Sequence, residues 1–95
     1  MPAYVVTLVN VTDPEKFQEY GKLAGPISAR YGGRFLVRGG PKTALEGDIP
    51  YARIVVVEFP DVAAAKRFYD CPEYQEAKAK RLGAADFNMV IVEGA

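Results

Sequence analysis

The stretch Tyr31-Gly-Gly-Arg-Phe-Leu-Val-Arg-Gly-Gly40 decides how this chain is expected to fold. Glycine reaches positive φ without steric cost, so each Gly-Gly pair indicates a turn. The alternating charged and apolar residues between the two pairs predict a strand. A second run, Arg53-Ile-Val-Val-Val-Glu-Phe59, predicts another strand that pairs with the first as a long hairpin. The rest of the chain is expected to wrap around this hairpin.

The segment before the hairpin predicts a strand followed by a helix. Residues 3–11 are apolar and β-branched nearly throughout, which favours a strand with both faces covered. Asp13 can accept a hydrogen bond from an unpaired N–H of the first helical turn, and Pro14 lacks the N–H that would be unpaired there. The helix is predicted to end near Tyr31, and Pro26 is expected to kink or split it.

The segment after the hairpin predicts two more helices and a last strand. Asp61 is placed to cap the first of these helices, and Pro72 interrupts it. A third helix is predicted from Glu73 to about Ala85, and residues 87–93 predict the final strand. The inward-facing residues of the third helix are expected to be Tyr74, Ala77, Leu82 and the stem of Arg81.

The order of these elements predicts the fold class. Strand, helix, strand, strand, helix, strand is the split βαβ arrangement, an α+β fold of the ferredoxin-like type with a four-stranded antiparallel sheet. The 95 residues are expected to form a single domain over 1–95. The long connection between the two hairpin strands, which contains two prolines, is expected to be a mobile loop.

The face of the hairpin that points away from the helices is expected to need a partner. The register that places Leu36 opposite Val56 predicts two further pairs, Arg34 with Glu58 and Arg38 with Ile54. Large aliphatic residues then alternate with charged ones on that face, and a single copy would leave them in water. We therefore expect a homodimer in which two sheets pack face to face. The alternative is a monomer with a partly solvated sheet.

Composition excludes several classes of partner. Twelve basic and twelve acidic residues cancel, so the electrostatic attraction that drives nucleic-acid binding is not expected. No apolar run approaches the roughly 20 residues of a membrane helix, and no signal peptide is visible at the first residues. The single cysteine, Cys71, excludes an internal disulfide and fits a reducing compartment. A cytoplasmic protein without membrane contact is the expectation.

An ordered set of short motifs resembles domain-of-unknown-function family 1330 over essentially the whole chain. The motifs are Thr12-Asp13-Pro14, Tyr31-Gly-Gly-Arg-Phe35, Arg38-Gly-Gly40, Leu45-Glu-Gly47, Val57-Glu-Phe59 and Tyr69-x-x-Pro72-Glu-Tyr74. The resemblance implies a dimeric α/β barrel, in which two ferredoxin-like subunits enclose a barrel between their sheets. That superfamily includes cofactor-free monooxygenases, muconolactone isomerase-like proteins and haem enzymes, and the family itself has no settled reaction. Cys71 departs from the serine expected to cap the helix at that position, and a thiol is a weaker cap.

The absence of histidine limits the chemistry that the chain can perform. It removes the commonest general base, the usual haem ligand and most zinc sites. The carboxylates show no metal-ligand spacing, and neither Gly-Gly pair matches a phosphate-binding fingerprint. We therefore expect no metal and no cofactor, and we expect a thiol nucleophile at Cys71 to be inactive because it has no histidine base.

The residues best suited to a site are charged sheet residues and helix tyrosines. Arg38 is predicted to hold a carboxylate or enolate oxygen, and Glu58, with Arg34 nearby, is predicted to act as a base if desolvation raises its pKa. Alternatively, Glu58 belongs to an ion pair that fixes the strand register or the dimer. Arg53 either reaches a cleft between sheet and helices or holds an acidic residue of the loop. The tyrosines expected to orient a ligand, or merely to complete the core, are Tyr20, Tyr69 and Tyr74.

Two hypotheses about function follow from these residues. In the first, each subunit of a dimeric barrel binds or transforms a small carboxylate-bearing or enolisable metabolite without a metal. In the second, the chain is a non-catalytic assembly module whose charged sheet residues serve only the interface. A closed cavity that holds Arg38 beside an unpaired Glu58 would favour the first hypothesis, and a fully paired interior without voids would favour the second.

Overall fold

A computed structural model describes all residues of the chain, 1–95. The elements follow the predicted order, with the second helical region divided in two. They are β1 (Ala3–Val11), α1 (Pro14–Arg30), β2 (Arg34–Arg38), β3 (Arg53–Phe59), α2 (Val62–Asp70), α3 (Pro72–Arg81) and β4 (Ala85–Glu93). The strands form one antiparallel sheet in the order β2-β3-β1-β4, which confirms the predicted ferredoxin-like fold.

The boundaries of α1 follow from its terminal residues. The carboxylate of Asp13 accepts a hydrogen bond from the Lys16 N–H at 3.3 Å, and Pro14 occupies the first turn. Pro26 lies inside the helix, which nevertheless runs without a break to Arg30. Of the two predicted effects of Pro26, a kink or a split, the split does not occur, because the chain continues in helical conformation past the one hydrogen bond that proline cannot make.

The end of α3 differs from the prediction. The helix ends at Arg81 rather than near Ala85, because Gly83 takes a φ of 79° and turns the chain into β4. Leu82, which was expected to face inward, is 56% exposed. Cys71 occupies the N-cap of α3, and its sulfur accepts a hydrogen bond from the Tyr74 N–H at 3.3 Å.

A β-bulge in β2 changes the register of the hairpin. Arg34 pairs with Glu58 as predicted, but the ladder shifts between Phe35 and Val37, so that Arg38 pairs with Val55 instead of Ile54. An extra residue in one strand turns the following side chains to the opposite face. Arg38 therefore lies on the helix side of the sheet, and its predicted position beside Glu58 is wrong.

The two faces of the sheet have different compositions. On the helix-side face, the strand residues pack against α1, α2 and α3; its most buried apolar members are Ala3, Val5, Val9, Val57 and Phe59. The outer face, which points away from the helices, is largely aliphatic and half-buried or exposed. Its apolar residues are Tyr4, Val6, Leu8, Leu36, Val37, Ile54, Val56, Val90 and Val92.

No helix of the structure combines the length and the apolar character needed to cross a bilayer.

Candidate functional site

A cavity of about 120 Å³ lies between α1 and the helix-side face of the sheet. Its walls are mostly apolar and come from all four strands and from two of the helices. The aromatic residues of the wall are Phe17, Tyr20, Phe35, Phe68 and Phe87. A space of this kind, apolar with a few converging polar groups, is the usual form of a small-molecule site. We call it the α1 cavity.

Arg38 and Arg53 line the α1 cavity as its only charged residues. Both are exposed, and neither forms an ion pair with a carboxylate of the chain. The guanidinium carbon of Arg38 lies 4.1 Å from the centre of the Phe35 ring, which the bulge in β2 brings to the same side. The two arginines therefore mark the solvent side of the cavity and keep their donors free for an anion.

Two glycines of α1 also line the cavity. A Cβ added at Gly21 would meet no atom within 4 Å, whereas one at Gly25 would lie 3.2 Å from a terminal guanidinium nitrogen of Arg38. Glycine destabilises a helix interior because it has the most backbone freedom to lose. Packing requires no glycine at Gly21, and its effect is to leave open space along the cavity wall.

Tyr20 closes the inner part of the cavity through a buried hydrogen bond. Its hydroxyl oxygen lies 2.8 Å from that of Tyr74, and Arg81 donates to Tyr74 at 3.5 Å. Burial raises the pKa of Tyr20 well above its ordinary value, and the neighbouring Tyr74 raises it further. Tyr20 is therefore a neutral phenol at physiological pH, able to orient a ligand but not to act as a base.

The remaining predicted site residues lie elsewhere. Glu58 and Arg34 face the outer side of the sheet and form an ion pair with an N–O distance of 2.8 Å. Tyr69 accepts a hydrogen bond from the Lys78 ammonium at 2.8 Å and lines a different cleft, between the helices and β4. Tyr74 is fully buried and does not line the α1 cavity, but it contacts three residues of the cavity wall, Tyr20, Phe68 and Met89.

The α1 cavity therefore unites Arg38, Arg53 and Tyr20 and excludes Glu58. The alternative in which Arg53 holds a loop carboxylate is not what the structure shows, since Arg53 has no ion pair and its guanidinium carbon lies 6.0 Å from the centre of the Phe17 ring. Sequence reasoning missed the bulge that turns Arg38 inward. No group of three or more histidine, cysteine, aspartate or glutamate side chains lies close enough to hold a metal ion.

The order of the elements and of the strands in the sheet defines the chain as a ferredoxin-like α+β protein. It belongs to the family described as Domain of unknown function (DUF1330), whose model matches residues 2–95. No curated protein matches the chain.

Several solved structures are similar to this chain. A protein of unknown function from Rhodopseudomonas palustris is 25% identical, with a TM-score of 0.78 over 99% of this chain and 82% of that one. A dimeric ferredoxin-like protein of unknown function from Jannaschia sp. CCS1 is 16% identical, with a TM-score of 0.75 over 99% and 100%. SnoaB, a cofactor-independent oxygenase from Streptomyces nogalater, is 13% identical, with a TM-score of 0.62 over 99% and 93%. The last two similarities are evidence of the shared fold alone.

Proposed function

We propose that the α1 cavity binds a small organic acid whose carboxylate or enolate oxygen is held by Arg38 and Arg53. The observation that carries this proposal is the pair of arginines without carboxylate partners beside a mostly apolar cavity. A guanidinium binds a carboxylate through two parallel N–H bonds, and two of them compensate the charge of a partly desolvated anion. The aromatic wall receives the apolar body of the same molecule.

The same arrangement limits the chemistry that we assign to the cavity. No aspartate, glutamate or histidine lines it, and Tyr20 keeps its proton. The residues present stabilise negative charge on a bound molecule and supply no general base of their own. We therefore propose binding, with stabilisation of an anionic or enolate form, as the function of the cavity. SnoaB, a cofactor-independent oxygenase, has a similar fold. This similarity is consistent with a site in which the bound molecule reacts without a cofactor.

Ligand binding is tested by a thermal-shift and calorimetry screen of aromatic and short aliphatic acids, each paired with its neutral amide. We expect saturable stabilisation by at least one acid and none by its amide, because only the acid carries the charge that the arginines recognise. Arg38→Gln and Arg53→Gln are each expected to weaken binding by about tenfold or more, the effect of losing a charged hydrogen bond.

Arg34→Gln is the matched control for these variants. Arg34 lies on the same strand as Arg38 but on the outer face, so its replacement is expected to leave the affinity unchanged. Equal weakening in Arg34→Gln and Arg38→Gln would mean that net charge, and not the cavity, determines binding. Failure of every acid to stabilise the protein would remove the proposed function.

We also propose that two copies pack through the outer faces of their sheets, which closes the barrel expected from the sequence. The proposal rests on the aliphatic residues that a single copy leaves exposed there, such as Leu36, Val90 and Val92. Two structurally similar proteins, from Jannaschia sp. and Thermobifida fusca, are described as dimeric ferredoxin-like proteins. The Arg34–Glu58 pair, on this face, then serves register and assembly, and a non-catalytic assembly role is the alternative function if the α1 cavity binds no acid.

A further inference from the structure

Arg81 is a buried cation without a carboxylate partner. The residue is only 7% exposed, and neither of the two ion pairs in the chain, Arg30–Glu73 and Arg34–Glu58, involves it. One terminal nitrogen donates to the Tyr74 hydroxyl at 3.5 Å, the outer limit of a hydrogen bond, and Nε has no hydrogen-bond partner within the protein. The guanidinium carbon lies 3.6 Å from the centre of the Phe87 ring.

These contacts account for only part of what a buried guanidinium requires. Stacking on an aromatic face offsets some of the lost hydration, but it satisfies none of the five N–H donors of the fork. A buried charge is normally paired or coordinated, because removing it from water is costly. Arg81 is therefore a donor group held in place by packing, with most of its hydrogen-bonding capacity unused by the chain.

A second cation and a phenol lie in the same cleft. The cleft has a volume of about 490 Å³ and is lined by Arg81, Lys78 and Tyr69, and otherwise by apolar residues of α2, β1 and β4. Lys78 donates to the Tyr69 hydroxyl at 2.8 Å, which orients the ammonium group. No carboxylate lines the cleft. We call it the β4 cleft, since β4 supplies the residues Phe87, Met89, Val90 and Ile91.

We propose that the β4 cleft is a second binding site, for an organic carboxylate with an extended apolar chain. Arg81 and Lys78 hold the carboxylate, with Tyr69 as a further donor or acceptor, and the apolar chain lies along Phe68 and β4. Eight of the ten lining residues are hydrophobic, which favours an amphiphilic acid over a small inorganic anion.

This site is distinct from the α1 cavity and does not depend on it. Arg38 and Arg53 line only the α1 cavity, whereas Arg81 and Lys78 line only the β4 cleft. The two spaces share a wall of four apolar residues, Val5, Phe68, Phe87 and Met89. A variant that disables one pair of cations therefore leaves the other pair in place.

The proposal is tested by titrating octanoate into the protein and following the Nε–Hε resonance of Arg81 by NMR. The titration uses the Arg38→Gln/Arg53→Gln double variant, so that binding in the α1 cavity, whether or not it occurs, does not contribute. We expect a saturable downfield shift of this resonance, because the Nε–H gains an acceptor that the protein does not provide. Octanamide, with the same chain and no charge, and inorganic phosphate are expected to cause little or no shift.

Lys78→Gln and Lys80→Gln provide the matched pair of variants. Lys78 lines the cleft and Lys80 is exposed on the same helix, so both remove one charge from α3. We expect octanoate to bind at least fivefold more weakly to the first and unchanged to the second. Because neither change touches the buried core, loss of folding is not expected to confuse the result, as it could with Arg81→Met.

Three results would overturn the proposal. The first is an Arg81 resonance that does not respond to octanoate. The second is an equal response to octanamide or to phosphate, which would mean that the carboxylate amphiphile is not what the cleft recognises. The third is equal weakening by Lys78→Gln and Lys80→Gln, which would mean that octanoate responds to the charge of α3 in general.

Discussion

The two faces of the sheet differ in whether their charged residues have partners of opposite charge. On the outer face, Arg34 and Glu58 satisfy each other among aliphatic side chains. On the helix side, Arg38, Arg53 and Arg81 have no carboxylate partner, and each lines a cavity or cleft. The difference supports both proposals, a dimer formed through the outer faces of two sheets and the binding of an organic anion by the unpaired arginines on the helix side.

The largest expected loss of stability is at the core on the helix side of the sheet. Phe59 is fully buried, and Phe59→Ala is expected to lower the free energy of unfolding by about 3–5 kcal/mol, through lost contacts and the void that remains. Val90→Ala on the outer face, at a residue 53% exposed in a single copy, is expected to cost about 1 kcal/mol or less when unfolding is measured at protein concentrations at which the chain is monomeric. Denaturant unfolding followed by circular dichroism measures both values. Equal costs would contradict the assignment of the core to the helix side.

A charge at the centre of the outer face is expected to disrupt the proposed dimer. Val56→Asp is expected to raise the dimer dissociation constant by about 100-fold, roughly 3 kcal/mol, because it places an unpaired carboxylate in an apolar interface. Analytical ultracentrifugation over a concentration series measures the constant. Leu45→Asp, in an exposed loop, is the control that carries the same charge without touching the face. If wild type sedimented only as single chains, or if both variants dimerised like wild type, the proposed interface would be wrong.

The hairpin shows how far sequence reasoning reached and where it stopped. The pairing of Arg34 with Glu58 was predictable, because the alternation of side chains holds from the start of both strands. Arg38 was placed on the wrong face because of one extra residue in β2, and a bulge within two consecutive aliphatic residues leaves no mark in the alternation pattern. The shift brings Arg38 to the same face as Phe35, and the Arg38 guanidinium lies against the Phe35 ring.

The candidate sites were less predictable than the fold. Strand and helix periodicity, capping residues and prolines were sufficient to predict the element order, because each acts over a few neighbouring residues. Arg81, in contrast, was expected to contribute only its stem. Its burial depends on Gly83 ending α3 early, which is a local signal, and on β4 placing Phe87 against the guanidinium, which is a contact between elements. Local sequence patterns therefore do not predict sites that are assembled from several elements.

The alkaline stability of the protein is expected to report on the Tyr20–Tyr74 contact. Burial raises the pKa of Tyr20, so the folded chain retains a proton that an unfolded tyrosine releases at about pH 10. The stabilisation is fully present below that pH and is lost as pH rises above it, by about 1.4 kcal/mol per pH unit for one proton. Unfolding curves between pH 9 and 12 measure the slope. Tyr20→Phe is expected to have a slope smaller by that one-proton amount, and an unchanged slope would mean that Tyr20 ionises in the folded state.

The smallest expected effect concerns Gly21, which either only weakens α1 or also leaves space for a ligand. Gly21→Ala is expected to raise the free energy of unfolding by about 0.5–1 kcal/mol, because alanine loses less backbone freedom in a helix and its Cβ meets no atom within 4 Å. If the space along Gly21 serves the acid proposed for the α1 cavity, Gly21→Leu should weaken binding of that acid while the protein stays folded. Thermal unfolding and calorimetry on the same samples measure both effects. Unchanged affinity in Gly21→Leu would mean that the ligand does not contact this part of the cavity wall. Ligand binding would then not explain the glycine at this position.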